Sequence, residues 1–271
     1  MVKLSVCAEC FFTNLPFTQR IENIAALGYN QVEFWHPEGV FDGENIDFTQ
    51  PKDAKTLKKV ADDNGMVIND FAFSAWDGSI GGSPTNKAEH PRYFDQIQKM
   101  LDFAQAIDCK KGILLSGLTQ KNISLDKMID NLKKAYTKAV ELAQKYQITL
   151  VLEPLNSLVD HAGYFFDGTD AAVQIIQELN SPNFKLLFDI YHMQIMQGNI
   201  INFIKQNINI IGHFHSAGVP GRAELFDTEL NYPIISETID ALGYSGCFGL
   251  EYFPKLDSTE SLKRTRDYLS Y

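Results

Sequence analysis

Basic charge is what this chain is short of. Against 34 Asp and Glu it has only 24 Lys and Arg, a formal charge of −10 at pH 7, and a surface of that sign repels a polyphosphate backbone. Nucleic acid is therefore not an expected partner. Cysteine is scarce as well: Cys7, Cys10, Cys109 and Cys247 are too few and too scattered to staple a chain of this length, which points to reduced thiols and a cytoplasmic setting. Cys7-Ala-Glu-Cys10 has C-x-x-C spacing, but no second Cys pair or Cys/His pair completes a zinc site, so its expected role is packing at a strand end. Also missing is any apolar run near the roughly 18 to 20 residues a membrane helix needs. Glu9 interrupts the N-terminal stretch before a signal-peptide core develops. Nor does a Gly-rich phosphate loop follow the first apolar segment, where the chain reads Glu9-Cys10-Phe11-Phe12.

What is present is a rhythm. Apolar residues make up 45% and aromatics 12%, enough for a large core, and short apolar runs alternate with longer amphipathic ones through to the C-terminus. Strands are expected at Val2–Ala8, Gln31–Trp35, Met66–Phe71, Gly112–Leu115, Thr149–Glu153, Lys185–Asp189, Ile208–His215 and Cys247–Glu251. Helices are expected at Phe17–Leu27, Ala54–Asn64, Arg92–Ile107, Leu125–Tyr146, Asp170–Leu179, Ile234–Leu242 and near Ser258–Leu269. Turn signals such as Asn64-Gly65 and Leu242-Gly243 close several of them. Residues Ser74 to His90, rich in Gly, Ser and Asn, read as a long loop between a strand and a helix. Parallel strand–helix units in this number predict an α/β chain folded as a (β/α)8 TIM barrel, one domain over residues 1–271, in preference to an open doubly wound sheet.

The last four expected strands share an ending that composition does not explain. They stop on Glu153, Asp189, His215 and Glu251, about one strand–helix unit apart. In a closed barrel such ends meet at the C-terminal face, where these folds keep their active sites. Three carboxylates converging there repel one another unless a cation sits among them. Oxygen donors with one imidazole suit Mn2+ or Mg2+, with Co2+ and Zn2+ as further choices. A lone acid at a strand end is otherwise a helix N-cap; four in register point to a metal.

Other residues gather at the same expected mouth. His192 is within reach from the first turn after Asp189. His213 shares the face of His215, either supporting the site or packing in the barrel core. Arg222, the one basic residue between Lys205 and Lys255, is suited to a substrate carboxylate or hydroxyl; Glu224 and Glu229 in the same loop are weaker candidates. Trp35, Phe71 and Trp76, at or after strand ends, are placed to wall a sugar-sized pocket.

The chain resembles the xylose-isomerase-like barrels of sugar isomerases and epimerases, and within them the hydroxypyruvate isomerases. The matching segments are Val32-Glu-Phe34, Leu152-Glu-Pro-Leu-Asn156, Phe188-Asp-Ile-Tyr-His-Met-Gln194, Ile211-Gly-His213, Pro220-Gly-Arg222, Glu229-Leu-Asn-Tyr232 and Gly243-Tyr244 with Gly249-Leu-Glu-Tyr252. The resemblance implies that Glu153, Asp189, His215 and Glu251 hold the metal, that Glu153 and Glu251 also move a proton through a cis-enediolate, and that His192 and Arg222 contact a small-molecule substrate. Such barrels often form homodimers or homotetramers. Two departures concern the substrate. Hydroxypyruvate isomerases usually carry Gln where this chain has His215, and the seventh loop reads Leu225-Phe-Asp-Thr228 in place of the family's Pro-Gly-Thr-Gly. A ketose 3-epimerase and a metal-dependent dehydratase of a polyol or keto compound are the alternatives. A DNA-repair endonuclease on this barrel would need further His at the third and fourth strands, where the chain has Asn69-Asp70-Phe71 and Leu115-Ser116.

Overall fold

The structure, a computed structural model, describes residues 2–270. In chain order its strands are β1 (Lys3–Cys7), β2 (Gln31–Phe34), β3 (Val40–Phe41), β4 (Ile46–Asp47), β5 (Val67–Phe71), β6 (Lys111–Leu115), β7 (Thr149–Glu153), β8 (Phe184–Asp189), β9 (Ile211–Ser216) and β10 (Cys247–Leu250). All but β3 and β4 run parallel in one sheet, ordered β5-β2-β1-β10-β9-β8-β7-β6, which makes the expected (β/α)8 barrel, nearly closed. Just past β5, Ala72 forms a parallel bridge to Ile113 and the Phe73 amide donates to the Ile113 carbonyl at 3.0 Å. The Phe73 ring lies over Gly112, where any Cβ would collide with it.

The helices are α1 (Phe17–Ala26), α2 (Ala54–Asp63), α3 (His90–Ala106), α4 (Leu125–Lys145), α5 (Thr169–Leu179), α6 (Ile190–Met196), α7 (Ile200–Asn207), α8 (Tyr232–Ala241) and α9 (Ser258–Leu269). Two compact units divide the chain: Met1–Asn69, Asn199–Asn209 and His213–Tyr271 form the first, Asp70–Gly198 and Ile210–Gly212 the second. In the first, β1 is flanked by β2 and β10, with Cys7 opposite Glu33 and Ser5 opposite Gly249. Val6, Val32, Phe34, Phe214, Phe248 and Leu250 fill its interior. In the second, β7 lies between β6 and β8, and the helices α3 and α4 bury Tyr93, Ile97, Leu101, Leu132, Tyr136 and Ala139. Each large apolar side chain so buried stabilises by roughly 1.5–3 kcal/mol.

A buried ionic knot sits in the first unit. Lys52 Nζ lies 2.5 Å from Glu9 Oε1 and donates to the carbonyls of His36, at 2.8 Å, and Gly39. The Phe17 ring lies beneath it, 4.5 Å away at the centroid. The other Glu9 oxygen accepts from the Phe41 amide at 3.0 Å. Together these contacts tie the end of β1 to the β3–β4 hairpin.

Some local features depart from the sequence reading. The strand expected from Ile208 starts at Ile211, because Ile208–Ile210 form a 3-10 turn after α7. The β3–β4 hairpin, α6 and α7 were not read; α6 spans only 7 residues, too short to display a helical period. Helix α3 begins at His90, at the end of the long loop. No helix among the described residues is long and apolar enough to cross a membrane.

Candidate active site

In the first unit the chemistry gathers on β2, β9 and the residue after β10. Glu251 directly follows β10, and its carboxylate is held from two sides. Trp35 Nε1 donates to Oε1 at 2.7 Å, and Arg222 Nη2 donates to Oε2 at 2.6 Å. His215 Nδ1 stands 3.5 Å from the same Oε2. Burial pushes this carboxyl up, but His215, Arg222 and the Trp35 hydrogen bond outweigh it and hold Glu251 below the usual carboxylate range, against a smaller upward push from Glu33.

The loop after β9 presents Arg222. Val219-Pro220 is cis and Arg222 itself has φ 52°, while the Gly218 amide donates to the Ala223 carbonyl at 2.7 Å across a tight turn. The Arg222 carbonyl accepts from the Phe253 amide at 2.8 Å, and its guanidinium lies 5.7 Å from the Phe253 ring centroid. Glu224, a weaker candidate in the sequence, is structural. It accepts from the amides of Lys255, at 2.8 Å, and Leu256, at 3.0 Å.

Sequence reasoning missed Glu33. It is buried on β2, with Oε2 3.2 Å from His213 Nε2 and Oε1 3.3 Å from His215 Nε2. Space for that meeting comes from Gly249, which pairs with His215 across β10 and β9. A Cβ there would collide with Glu33 Oε1 and stand 2.7 Å from His215 Cδ2. The Val32-Glu-Phe34 match was the only signal in the chain for Glu33.

The second unit contributes a different arrangement. Asp189 ends β8 and caps α6: its Oδ1 accepts from the amides of Tyr191, at 2.7 Å, and His192, at 3.2 Å. Its Oδ2 lies 3.5 Å from His192 Nε2. The helix-cap reading of a strand-end acid thus applies to Oδ1. His192 is fully buried, and its Nδ1 receives the Asn156 amide at 3.2 Å. A backbone N–H can only donate, so Nδ1 carries the lone pair and Nε2 the proton. Asn156 Nδ2 in turn donates to Asp160 Oδ2 at 2.6 Å, which also accepts from Tyr191 at 2.8 Å. Glu153, buried at the end of β7, has its carbonyl bound by the Tyr164 hydroxyl at 2.9 Å.

Of the aromatic residues expected to wall a pocket, Trp35 faces Phe41 and Phe253 at 5.1 and 6.3 Å, and Trp76 packs edge-on to His161 at 4.8 Å. Phe71 is fully buried, its ring packed on Phe73 and on Phe103 of α3 at 5.0 and 5.5 Å. The four cysteines are buried thiols outside any disulfide.

The chain carries buried acidic and histidine groups that could hold a metal ion, Glu153, Asp189, His215 and Glu251 among them. Carboxylate oxygens and imidazole nitrogens are donors suited to a divalent cation.

Comparison with known proteins identifies the family. The 2-oxo-tetronate isomerase of Cupriavidus necator is 29% identical over 99% of this chain and 99% of its own. The hydroxypyruvate isomerase of Escherichia coli is 28% identical over 97% and 98%. A crystal structure described as AP endonuclease, family 2, from Brucella melitensis superposes with a TM-score of 0.88, at 26% identity and 99% coverage of both chains. Residues 21–269 match the family described as xylose isomerase-like TIM barrel. The chain belongs to the xylose isomerase-like TIM barrel family, and its class of enzyme is isomerase.

Proposed function

We propose that this isomerase interconverts a small α-hydroxy-carbonyl compound, of the kind for which its hydroxypyruvate and 2-oxo-tetronate relatives are named, on one barrel domain spanning the chain. Glu153, Asp189, His215 and Glu251 hold a divalent cation, Mn2+ or Mg2+. A barrel of parallel strands turns the C-terminal ends of all of them to one face, which supports a shared site for these four. The observation that carries the reading is the double hold on Glu251: Trp35 and Arg222 orient one strand-end carboxylate at 2.7 and 2.6 Å, as a group that must meet a substrate C–H at a fixed angle requires.

A bound cation polarises the substrate carbonyl and acidifies the neighbouring C–H. Glu153 and Glu251 are then the two carboxylates that take and return the proton, each within one reaction cycle acting first as base or as acid. His192, with its proton fixed on Nε2, donates to a substrate oxygen, and Arg222 adds a positive charge for a substrate carboxylate. Trp35 with Phe41 and Phe253 supplies an apolar wall that excludes water. The net charge of −10 and the absence of His at Asn69-Asp70-Phe71 and Leu115-Ser116 favour a small-molecule substrate over nucleic acid, and a cytoplasmic setting goes with that reading.

The test is exchange of the hydrogen on the carbon next to the carbonyl, followed by NMR in D2O with hydroxypyruvate and C3 to C6 ketoses. Chelation abolishes exchange, Mn2+ or Mg2+ restores it, and Glu153→Gln and Glu251→Gln each remove it. No exchange with any of these compounds overturns the reading. A product lighter by one water would make the enzyme a dehydratase, and inversion at C3 of a ketose an epimerase.

A further inference from the structure

The proton-transfer reading leaves Glu33, a buried acid of the first unit, unused. Glu33 has its two carboxylate oxygens divided between two imidazoles, Oε2 at 3.2 Å from His213 Nε2 and Oε1 at 3.3 Å from His215 Nε2. Behind His213, its Nδ1 lies 3.4 Å from Asn69 Nδ2. An amide NH2 only donates, so His213 Nδ1 carries the lone pair and Nε2 the proton, directed at Glu33.

The same logic applies to His215, which stands between two carboxylates. Glu251 already accepts from Trp35 on one oxygen and from Arg222 on the other. Glu33 Oε1 is buried and makes no hydrogen bond as placed, and a buried acceptor is costly to leave unsatisfied, so it is the acceptor in need of a proton donor. The His215 proton therefore belongs on Nε2, facing Glu33, and the lone pair on Nδ1, on the side of Glu251. Gly249 reserves the volume in which the two side chains meet.

We propose that Glu33 is a positioning residue: backed by His213 and Asn69, it fixes the tautomer and ring orientation of His215 so that Nδ1 is the atom offered to the cation. This rests on the metal reading above. An imidazole that ligates a metal through one nitrogen and donates to a carboxylate from the other is the arrangement in which loss of the carboxylate typically weakens metal affinity 10- to 100-fold.

The experiment has two readouts. In metal-free protein with 15N-labelled histidine, long-range 1H–15N NMR should show His215 as the Nε2–H tautomer, and Glu33→Gln should shift it toward a mixture. In a Mn2+ titration followed by EPR, Glu33→Gln should bind roughly 10- to 100-fold more weakly than wild type. Asn69→Leu, which leaves Glu33 in place, should move the His213 tautomer and weaken Mn2+ by a smaller factor, so the test survives if Glu33→Gln fails to fold. Unchanged tautomers with unchanged Mn2+ affinity in a folded variant overturn the proposal. So does a second equivalent of Mn2+ that disappears with Glu33→Gln, which would make Glu33, His213 and His215 ligands themselves. Wild-type protein that binds no Mn2+ defeats the metal reading, while the tautomer measurement still decides the role of Glu33.

Discussion

Lys52 and Glu9 form a 2.5 Å ion pair in which each side chain is 1% exposed, and the ammonium also meets the carbonyls of His36 and Gly39 and the face of Phe17. A buried pair of this kind is costly to break from one side, because the survivor is left as an uncompensated charge. Lys52→Met should cost about 3–5 kcal/mol of unfolding free energy. Adding Glu9→Gln to Lys52→Met should recover part of that. Chemical denaturation of the three proteins checks this; a single variant within about 1 kcal/mol of wild type would show that the pair contributes little.

Trp35→Phe keeps the ring packed against Phe41 and Phe253 but removes the Nε1 donor from Glu251. A hydrogen bond to a charged group contributes about 1.5–3 kcal/mol. The expected result is a loss of roughly 10- to 100-fold in kcat/KM for the isomerisation, with thermal stability close to wild type. Steady-state kinetics decide it, and wild-type kcat/KM would remove Trp35 from the site.

Gly249→Ala puts a methyl group into the space shared by Glu33 and His215. Overpacking of this sort costs roughly 1–3 kcal/mol, and here the atoms that must move belong to the site. Hydrogen exchange into substrate should therefore fall by more than the change in thermal midpoint accounts for. An active Gly249→Ala enzyme with wild-type rates would mean that the Glu33–His215 contact is dispensable.

Alkaline pH should unfold the protein steeply. Burial pushes the hydroxyls of Tyr29, Tyr93, Tyr136, Tyr164 and Tyr252 well above their ordinary 10.0. It also raises the thiol of Cys7 well above 9.0 and that of Cys109 to about 12. These groups are neutral when protonated and have raised folded-state values. Their contribution is complete below the unfolded values and is lost as pH rises past them, each at about 1.4 kcal/mol per pH unit. Lys52, lowered chiefly by burial, works with the opposite sign, since the unfolded lysine holds its proton to higher pH. With Arg20, also lowered chiefly by burial, it makes two groups against seven. Urea denaturation should give a stability near-constant around pH 8 and falling steeply above about pH 10; a flat profile to pH 11 would contradict the burial of these phenols.

The architecture was legible because parallel strands buried on both faces read as continuous apolar runs, and the helix covers display their period. Thr149–Glu153 and the start of Cys247–Leu250 fall where the sequence reading placed them. Short elements escaped for the converse reason: Val40–Phe41 and Ile46–Asp47 have two residues each, which no periodicity can register. Among site residues, those at strand ends were visible because a polar residue stopping an apolar run breaks a pattern. Glu33 breaks none, since an acid inside a strand looks like an ordinary solvent-facing position. Asn156 and His192 meet across a loop and a helix start, and their partnership is a property of tertiary placement. Phe71 was expected at a pocket wall, and its ring meets Phe73 and Phe103, a placement that a strand-end aromatic does not reveal in sequence.

Asp189 gives one carboxylate two employers, one oxygen closing the first turn of α6 and the other facing His192. Each single-residue alternative keeps only one of them. Asn caps a helix as well as Asp does but brings no charge. Glu keeps the charge but places it one methylene too far to cap. The position therefore has no neutral neighbour in sequence space, and any drift of this chain toward a new substrate has to start elsewhere, in loops such as the one that carries Arg222.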